Sequence, residues 1–128
     1  MTWEGMEQRR FPRAHYGCVV RVRVKGSVEA FRTKTENIGS GGICVMLPKG
    51  LNVFSSVETE LDFEMPGEKV ICDGKIVWVV HKSQIERNAA EEFDTGIEFL
   101  HLKKEDKALI ERVVAECLKK STSSTSAS

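Results

Sequence analysis

Three arginines fall within positions 9–13 of the segment QRRFPR (Gln8–Arg13): Arg9, Arg10 and Arg13. Arginine is charged at every physiological pH, and its planar fork of donors matches phosphate oxygens and the O6/N7 edge of guanine. Pro12 keeps the segment out of a helix interior. The chain carries 19 basic and 19 acidic residues, so this concentration answers no overall need for charge. The chemistry it offers is recognition of an anion.

A second segment that could do chemistry is NIGSGG (Asn37–Gly42). It lacks the GK[ST] of a phosphate-binding loop, and GxGxxG spacing fails because position 44 is Cys44. Taken alone it reads as a tight turn whose glycines adopt positive φ. QRRFPR taken alone reads equally as a solvated basic turn or a loose RNA-binding patch. An enzyme is not indicated. His15, His81 and His101 stand near no nucleophile in a recognisable arrangement and lack metal-ligand spacing. Glu58, Glu60, Asp62 and Glu64 alternate along one strand and read as a solvated face. Trp78 and Phe63 fall at core-facing positions and read as packing.

The elements that must position these segments are legible from periodicity. CVVRVRVKG alternates Cys18, Val20, Val22 and Val24 against Arg21, Arg23 and Lys25, a half-buried strand closed by a Gly26-Ser27 turn. VEAFRTKTENI is a second strand, NIGSGG a break, and GICVML a short buried strand ended by Pro48 and Gly50. SVETELDFEM alternates strictly and ends at Pro66-Gly67. KVICDGKIVWVV is a long strand with a bend or bulge expected at Asp73-Gly74. His81 to Glu92 reads as a loop and FDTGIEFL as the last strand. In KKEDKALIERVVAECLKK the apolar residues Leu109, Ile110, Val113, Val114, Cys117 and Leu118 change to helical spacing. Glu105 and Asp106 sit in its first turn and Lys119-Lys120 at its end, as the helix dipole prefers. STSSTSAS reads as a disordered tail. Short antiparallel strands with tight turns predict a small barrel or sandwich.

With 128 residues the chain is one domain's length, and its 41% hydrophobic and 30% charged content is that of a soluble globular protein. Its longest aliphatic or aromatic run, Ile76 to Val80, is far short of a bilayer span. MTWEGMEQRR has no secretion-signal pattern. Cys18, Cys44, Cys72 and Cys117 form no CxxC pair and read as buried thiols in a reducing cytoplasm. Residues 1–35 hold eight basic residues against three acidic, net +5, and residues 56–68 hold five acidic residues and no basic one, net −5. That asymmetry points to an anionic ligand near the N-terminal part. A long nucleic acid is less favoured, because the acidic strand would repel it.

Together the two motifs say more. Arg9-Arg10-Phe11-Pro12-Arg13 fits RRxxR, and Asn37-Ile38-Gly39-Ser40-Gly41-Gly42 fits [DN]xSxxG at Asn37 and Gly42 but not at the serine. In this order, with a strand hairpin between, they resemble the PilZ family of cyclic di-GMP receptors. FDTGIEFLHLKKEDKALIERVV looks like that family's closing strand and helix. The resemblance covers Gln8 to Leu118. It implies a mainly all-β fold, a six-stranded antiparallel β-barrel with a C-terminal α-helix. It divides the chain into a flexible N-terminus (1–7), a PilZ domain (8–120) and a disordered tail (121–128). Within the domain, 8–15 is the basic ligand-binding arm, 16–100 the barrel and 103–120 the helix.

The resemblance also implies a non-enzymatic receptor, with no cofactor or metal, for cyclic di-GMP as ligand. Arg9, Arg10 and Arg13 would grip phosphates and guanine edges, Asn37 would meet the other guanine edge, and Gly42 would leave room for the ligand. Gly39 stands where the family usually has serine, and Ser40, next door, points to the opposite face in an extended chain. The lost neutral hydrogen bond is worth about 0.5–1.5 kcal/mol, against about 1.5–3 kcal/mol for each charge-assisted arginine bond. The expected mechanism is ordering of a flexible arm around the nucleotide, which creates a surface for an unidentified downstream protein. Two rival expectations are a PilZ-like adaptor that binds no nucleotide and a small barrel binding single-stranded nucleic acid. The second requires exposed aromatics beside the basic strand, where the candidates are Tyr16 and Phe31.

Overall fold

A computed structural model describes residues 13–63, 67–82 and 91–127, with side chains from 14 and up to 119. The elements in chain order are β1 (Arg13–Ala14), β2 (Val19–Val24), β3 (Ala30–Gly39), β4 (Gly42–Leu47), β5 (Ser56–Phe63), β6 (Glu68–Lys82), β7 (Glu92–Leu100) and α1 (Lys104–Ala127). Six strands close in the order β3-β2-β5-β6-β7-β4, with β4 returning to β3, and every pairing is antiparallel. This is the six-stranded barrel with a C-terminal helix that the sequence predicts. The two-residue β1 is an addition, paired to the end of β3.

Two long strands turn the corners. β3 pairs with β2 through residues 30–34 and with β4 through residues 35–39, and the register shifts at Glu36. β6 pairs with β5 in its first half and with β7 from Asp73 onward, with a shift at Val77. A bulge adds one residue to one strand and increases its bend, which is what closure of a small barrel requires. The expected bulge at Asp73-Gly74 is therefore displaced to Val77. Gly74 pairs regularly with Val57 and Phe99, and its missing side chain serves close packing: a Cβ there would come within 2.7 Å of Ile97 Cγ2. The expected loop from His81 is also shorter, because His81 and Lys82 still pair with Phe93 and Glu92.

The alternating apolar residues do fill the interior. Val20, Val22, Val57, Leu61 and Phe63 are fully buried, as are Ile38, Ile43, Ile76 and Ile97 from the other wall. α1 adds Leu109, Ile110, Val113 and Val114 to the same core. Its contacts fall on β1 and β3. The helix runs to Ala127, past the expected end at 120, so Lys119-Lys120 lie inside it and the expected disordered tail is helical backbone. The tail holds neither glycine nor proline, and extending a formed helix adds one hydrogen bond per residue fixed, without a new nucleus.

Charge is settled locally. β2 lies between β3 and β5, and Arg21 and Arg23 face Glu60 and Glu58 across the strand pair. Arg23 reaches Glu58 at 3.3 Å, Lys25 reaches Asp73 at 2.9 Å and Lys69 approaches Glu60 at 4.0 Å. The basic and acidic strands of the sequence are neighbours, and Arg23 of β2 is paired across them.

Gly42 tests the closure. A Cβ there would overlap the Ile97 carbonyl oxygen of β7, a backbone atom that cannot swing aside. Gly42→Ala is expected to cost about 2–3 kcal/mol, read as a lowered denaturation midpoint. Val114→Asp, which buries a charge in the helix–barrel contact, is expected to unfold the domain outright. A soluble, cooperatively melting Val114→Asp protein would show that the helix is not docked there.

Candidate functional site

The site is built where the arm reaches the barrel. β1 lies antiparallel to the end of β3, with Arg13 opposite Gly39 and Ala14 opposite Ile38. The link between β1 and β2 is pinned to β3 by Thr35, which is buried. Its Oγ1 accepts from Cys18 N at 3.0 Å and donates to the Tyr16 carbonyl, while Thr35 N donates to Cys18 O at 2.9 Å. Tyr16 stacks on Phe63 with ring centroids 6.2 Å apart. The backbone thus brings the end of QRRFPR alongside NIGSGG. Arg9 and Arg10 lie outside the described residues, as does the side chain of Arg13.

NIGSGG itself is two strand ends and a two-residue turn. Asn37, Ile38 and Gly39 finish β3, Ser40-Gly41 turn, and Gly42 opens β4 opposite Gly39. Positive φ among the described glycines occurs at Gly26 and Gly67, not at Gly39, Gly41 or Gly42. The turn therefore does not rest on left-handed glycines, as its composition suggests. Gly42 has a reason in the barrel itself, its contact with β7. Ser40 sits in the turn and lines a cleft with α1.

That outer wall holds a row fixed by register: Asn37 opposite Cys44, Cys44 opposite Gly96, Gly96 opposite Trp78. Trp78 is thus outside the barrel, contrary to the alternation in the sequence. The extra residue at Val77 reverses the phase, so Ile76 is in the core, Val79 packs against it, and Trp78 turns outward. A Cβ on Gly96 would overlap the indole, so the ring lies over that glycine. Gly96 is the signal that could have revealed this, as a glycine inside a strand marks close approach by a neighbour.

Next to the row, Glu36, Cys44 and Asp94 bring their ligand-type atoms within 4.8 Å of one another. Cys44 Sγ donates to Asp94 Oδ1 at 3.0 Å and lies 3.5 Å from Glu36 Oε1. Burial and the two carboxylates push the Cys44 thiol far above its ordinary range, so it stays a donor. Cys18 is pushed up to about 11, first by burial. The hydrogen bond with Asp94 raises the Glu36 carboxyl above the ordinary carboxylate range, with burial and repulsion from Asp94 adding and Lys82 opposing. The cluster was not legible in the sequence because the bulge at Glu36 creates it.

The family model described as PilZ domain matches residues 7–116. The chain belongs to the PilZ family. The PilZ domain with c-di-GMP of YcgR from Escherichia coli aligns with TM-score 0.71 at 12% identity, over 93% of this chain and 98% of that one. The K. pneumonia MrkH–c-di-GMP complex aligns with TM-score 0.72 at 17% identity, over 89% of this chain and 53% of that one. The Bacillus subtilis inhibitor of motility MotI/DgrA aligns with TM-score 0.66 at 17% identity, over 91% of this chain and 52% of that one. The chain spans about half the length of MotI/DgrA and MrkH. At these identities the likeness is one of fold. No curated protein matches the sequence.

Tyr16 and Phe31, the aromatics beside the basic strand, are partly buried against the core. No described helix is long and apolar enough to cross a membrane.

The carboxyl pair makes a testable prediction. A carboxyl whose folded pKa is raised favours the folded state below its unfolded value of about 4.5, and that contribution is lost as pH rises through the raised value. At neutral pH the Glu36–Asp94 contact is therefore a net cost. Asp94→Asn keeps an oxygen acceptor for Cys44 and removes the repulsion. Its melting temperature is expected to exceed that of the unsubstituted protein at pH 7, with the difference closing near pH 4. A lower melting temperature at pH 7 would contradict this reading of the cluster.

Proposed function

We propose that this PilZ domain is a cyclic di-GMP receptor without catalytic activity, acting in the cytoplasm and passing its signal to a partner protein. One observation carries the reading: the register that sets Arg13 opposite Gly39, bringing the arginine arm to the strand end that bears Asn37. Cyclic di-GMP presents two guanines and two phosphates, the groups that arginine forks recognise best. Asn37 carries a side-chain amide of the kind that both donates to and accepts from a guanine edge. Trp78, in the same outer row, adds an aromatic ring for a purine to lie against. The Arg23–Glu58 pair commits one of β2's cations to β5. The c-di-GMP named in the YcgR and MrkH structures supports the choice of ligand on the same fold. Free Cys18, Cys44, Cys72 and Cys117 suit a reducing compartment.

Calorimetric titration with cyclic di-GMP, with GTP and a short oligonucleotide as controls, tests the reading. Arg13→Ala is expected to weaken binding by at least about tenfold, the equivalent of one charge-assisted contact, with the melting temperature of the free protein unchanged. Undiminished binding in a triple alanine variant at Arg9, Arg10 and Arg13 would end it. Gly39→Ser probes the departure from the family pattern. Because Gly39 has no positive φ, a side chain meets no left-handed strain there. The serine is expected to tighten binding by up to about tenfold, one neutral hydrogen bond, whereas Ser40→Ala changes little. Loss of binding in Ser40→Ala would place the hydroxyl role at Ser40 instead.

A further inference from the structure

The outer surface of β2 and β3 carries a group of cations that folding assembles rather than neutralises. Arg21 of β2 and Arg32 and Lys34 of β3 are exposed, alternating with buried Val20, Val22 and Thr35. Register sets Arg21 directly across from Arg32, and Lys34 across from Val19, so the three cations form one short strip. Like charges directly across a strand pair destabilise it. Among the described residues none of the three forms an ion pair, whereas Arg23, Lys25 and Lys69 each reach a carboxylate. Glu60 stands across from Arg21 on β5, but Lys69 is the cation that approaches it.

What surrounds the strip limits what can cover it. Glu58, Glu60 and Asp62 of β5 flank it on one side. Along β3, Glu36 follows Lys34 and belongs to the cluster with Cys44 and Asp94. A flat anionic surface or a long polyanion would meet those carboxylates as well as the cations; a short segment would not. Spacing narrows the choice further. Residues two apart on an extended chain share a face about 6.6 Å apart, which is the Arg32–Lys34 interval. Residues directly opposite on an antiparallel pair lie about 4.5–5.5 Å apart. An extended peptide with carboxylates at alternate positions has the same spacing. β5 shows the match within the fold: Glu58 and Glu60 alternate along it, stand across from Arg23 and Arg21, and Arg23 reaches Glu58 at 3.3 Å.

We propose that Arg21, Arg32 and Lys34 form a docking strip for a short, extended segment of a partner protein that carries acidic residues at alternate positions. The segment lies along β3 with successive carboxylates over Arg32 and Lys34, and Arg21 shares the carboxylate over Arg32. Exposed charge pairs of this kind guide encounter and set orientation more than they add affinity. The strip uses neither the arginine arm nor Asn37–Gly42, so it stands independently of the nucleotide site.

Fluorescence anisotropy of a labelled octapeptide of alternating glutamate and threonine, titrated with the full chain at low ionic strength, tests the strip. The peptide is expected to bind and to be released by added salt, whereas the same peptide with glutamine for glutamate does not bind. Arg21→Gln, Arg32→Gln and Lys34→Gln together are expected to weaken binding about tenfold, as the loss of three exposed charge contacts. The same loss is expected when Arg9, Arg10 and Arg13 are already alanine, because the two groups act separately. Arg32→Gln also removes the like-charge contact with Arg21, so its melting temperature is expected to hold or rise, and lost binding then reads the strip and not the fold. Charge reversal is the sharper arm: Arg32→Glu with Lys34→Glu is expected to reject the acidic peptide and to bind an octapeptide of alternating lysine and threonine. Equal binding of the glutamate and glutamine peptides, or binding of neither, would overturn the proposal. Undiminished binding by the triple glutamine variant, or a loss that vanishes once the arm is alanine, would do the same. Tighter, strip-dependent binding of a short oligonucleotide or of phosphatidylserine vesicles would give the strip to a different polyanion and overturn it too.

Discussion

The structure depends on β3 using both of its edges. Along one edge it pairs with β2 and then β1; along the other it pairs with β4, which closes the barrel. A strand with two satisfied edges leaves no unpaired backbone to recruit other chains, and closure removes edges from the rest of the sheet as well. The bulge at Glu36 lets one strand serve both pairings. It also sets Asn37 on the outer wall next to Glu36 and delivers Gly39 to the arm. The same few residues thus close the barrel, seat the helix and form one side of the candidate site. The end of the arm, β1, is in direct contact with α1, which also touches β3.

Electrostatics follow from that topology. A reading of charge along the chain finds a basic first third and an acidic middle, and both are present. Folding sets them side by side, so Arg23, Lys25 and Lys69 find carboxylates at 3.3, 2.9 and 4.0 Å. Exposed pairs of this kind contribute little stability, about 0–1 kcal/mol each.

Sequence periodicity was a good guide wherever each strand kept one phase. Val57, Thr59, Leu61 and Phe63 alternate inward as read, and the helix buries Leu109, Ile110, Val113 and Val114 on the stripe predicted. It failed where a residue is inserted. Val77 reverses the phase of β6, so Trp78 lies outside, and Glu36 gathers a thiol and two carboxyls that no spacing announces. Bulges are set by the needs of closure, which involve partners far away in the chain. The candidate site was legible as two motifs, and their meeting was not, because a two-residue strand has no periodicity. The helix end was misread because serine and threonine weaken a helix by only tenths of a kcal/mol each, about 0.5 relative to alanine.

The central claim is that the arginine arm and the Asn37–Gly42 strand end form one nucleotide site. Hydrogen–deuterium exchange of the full chain, with and without saturating cyclic di-GMP, tests it most directly. The account predicts new protection confined to residues 8–17 and 36–44, with smaller changes in the part of α1 that touches β1 and β3. No change on adding the nucleotide, or protection centred on the β2–β5 face instead, would contradict it.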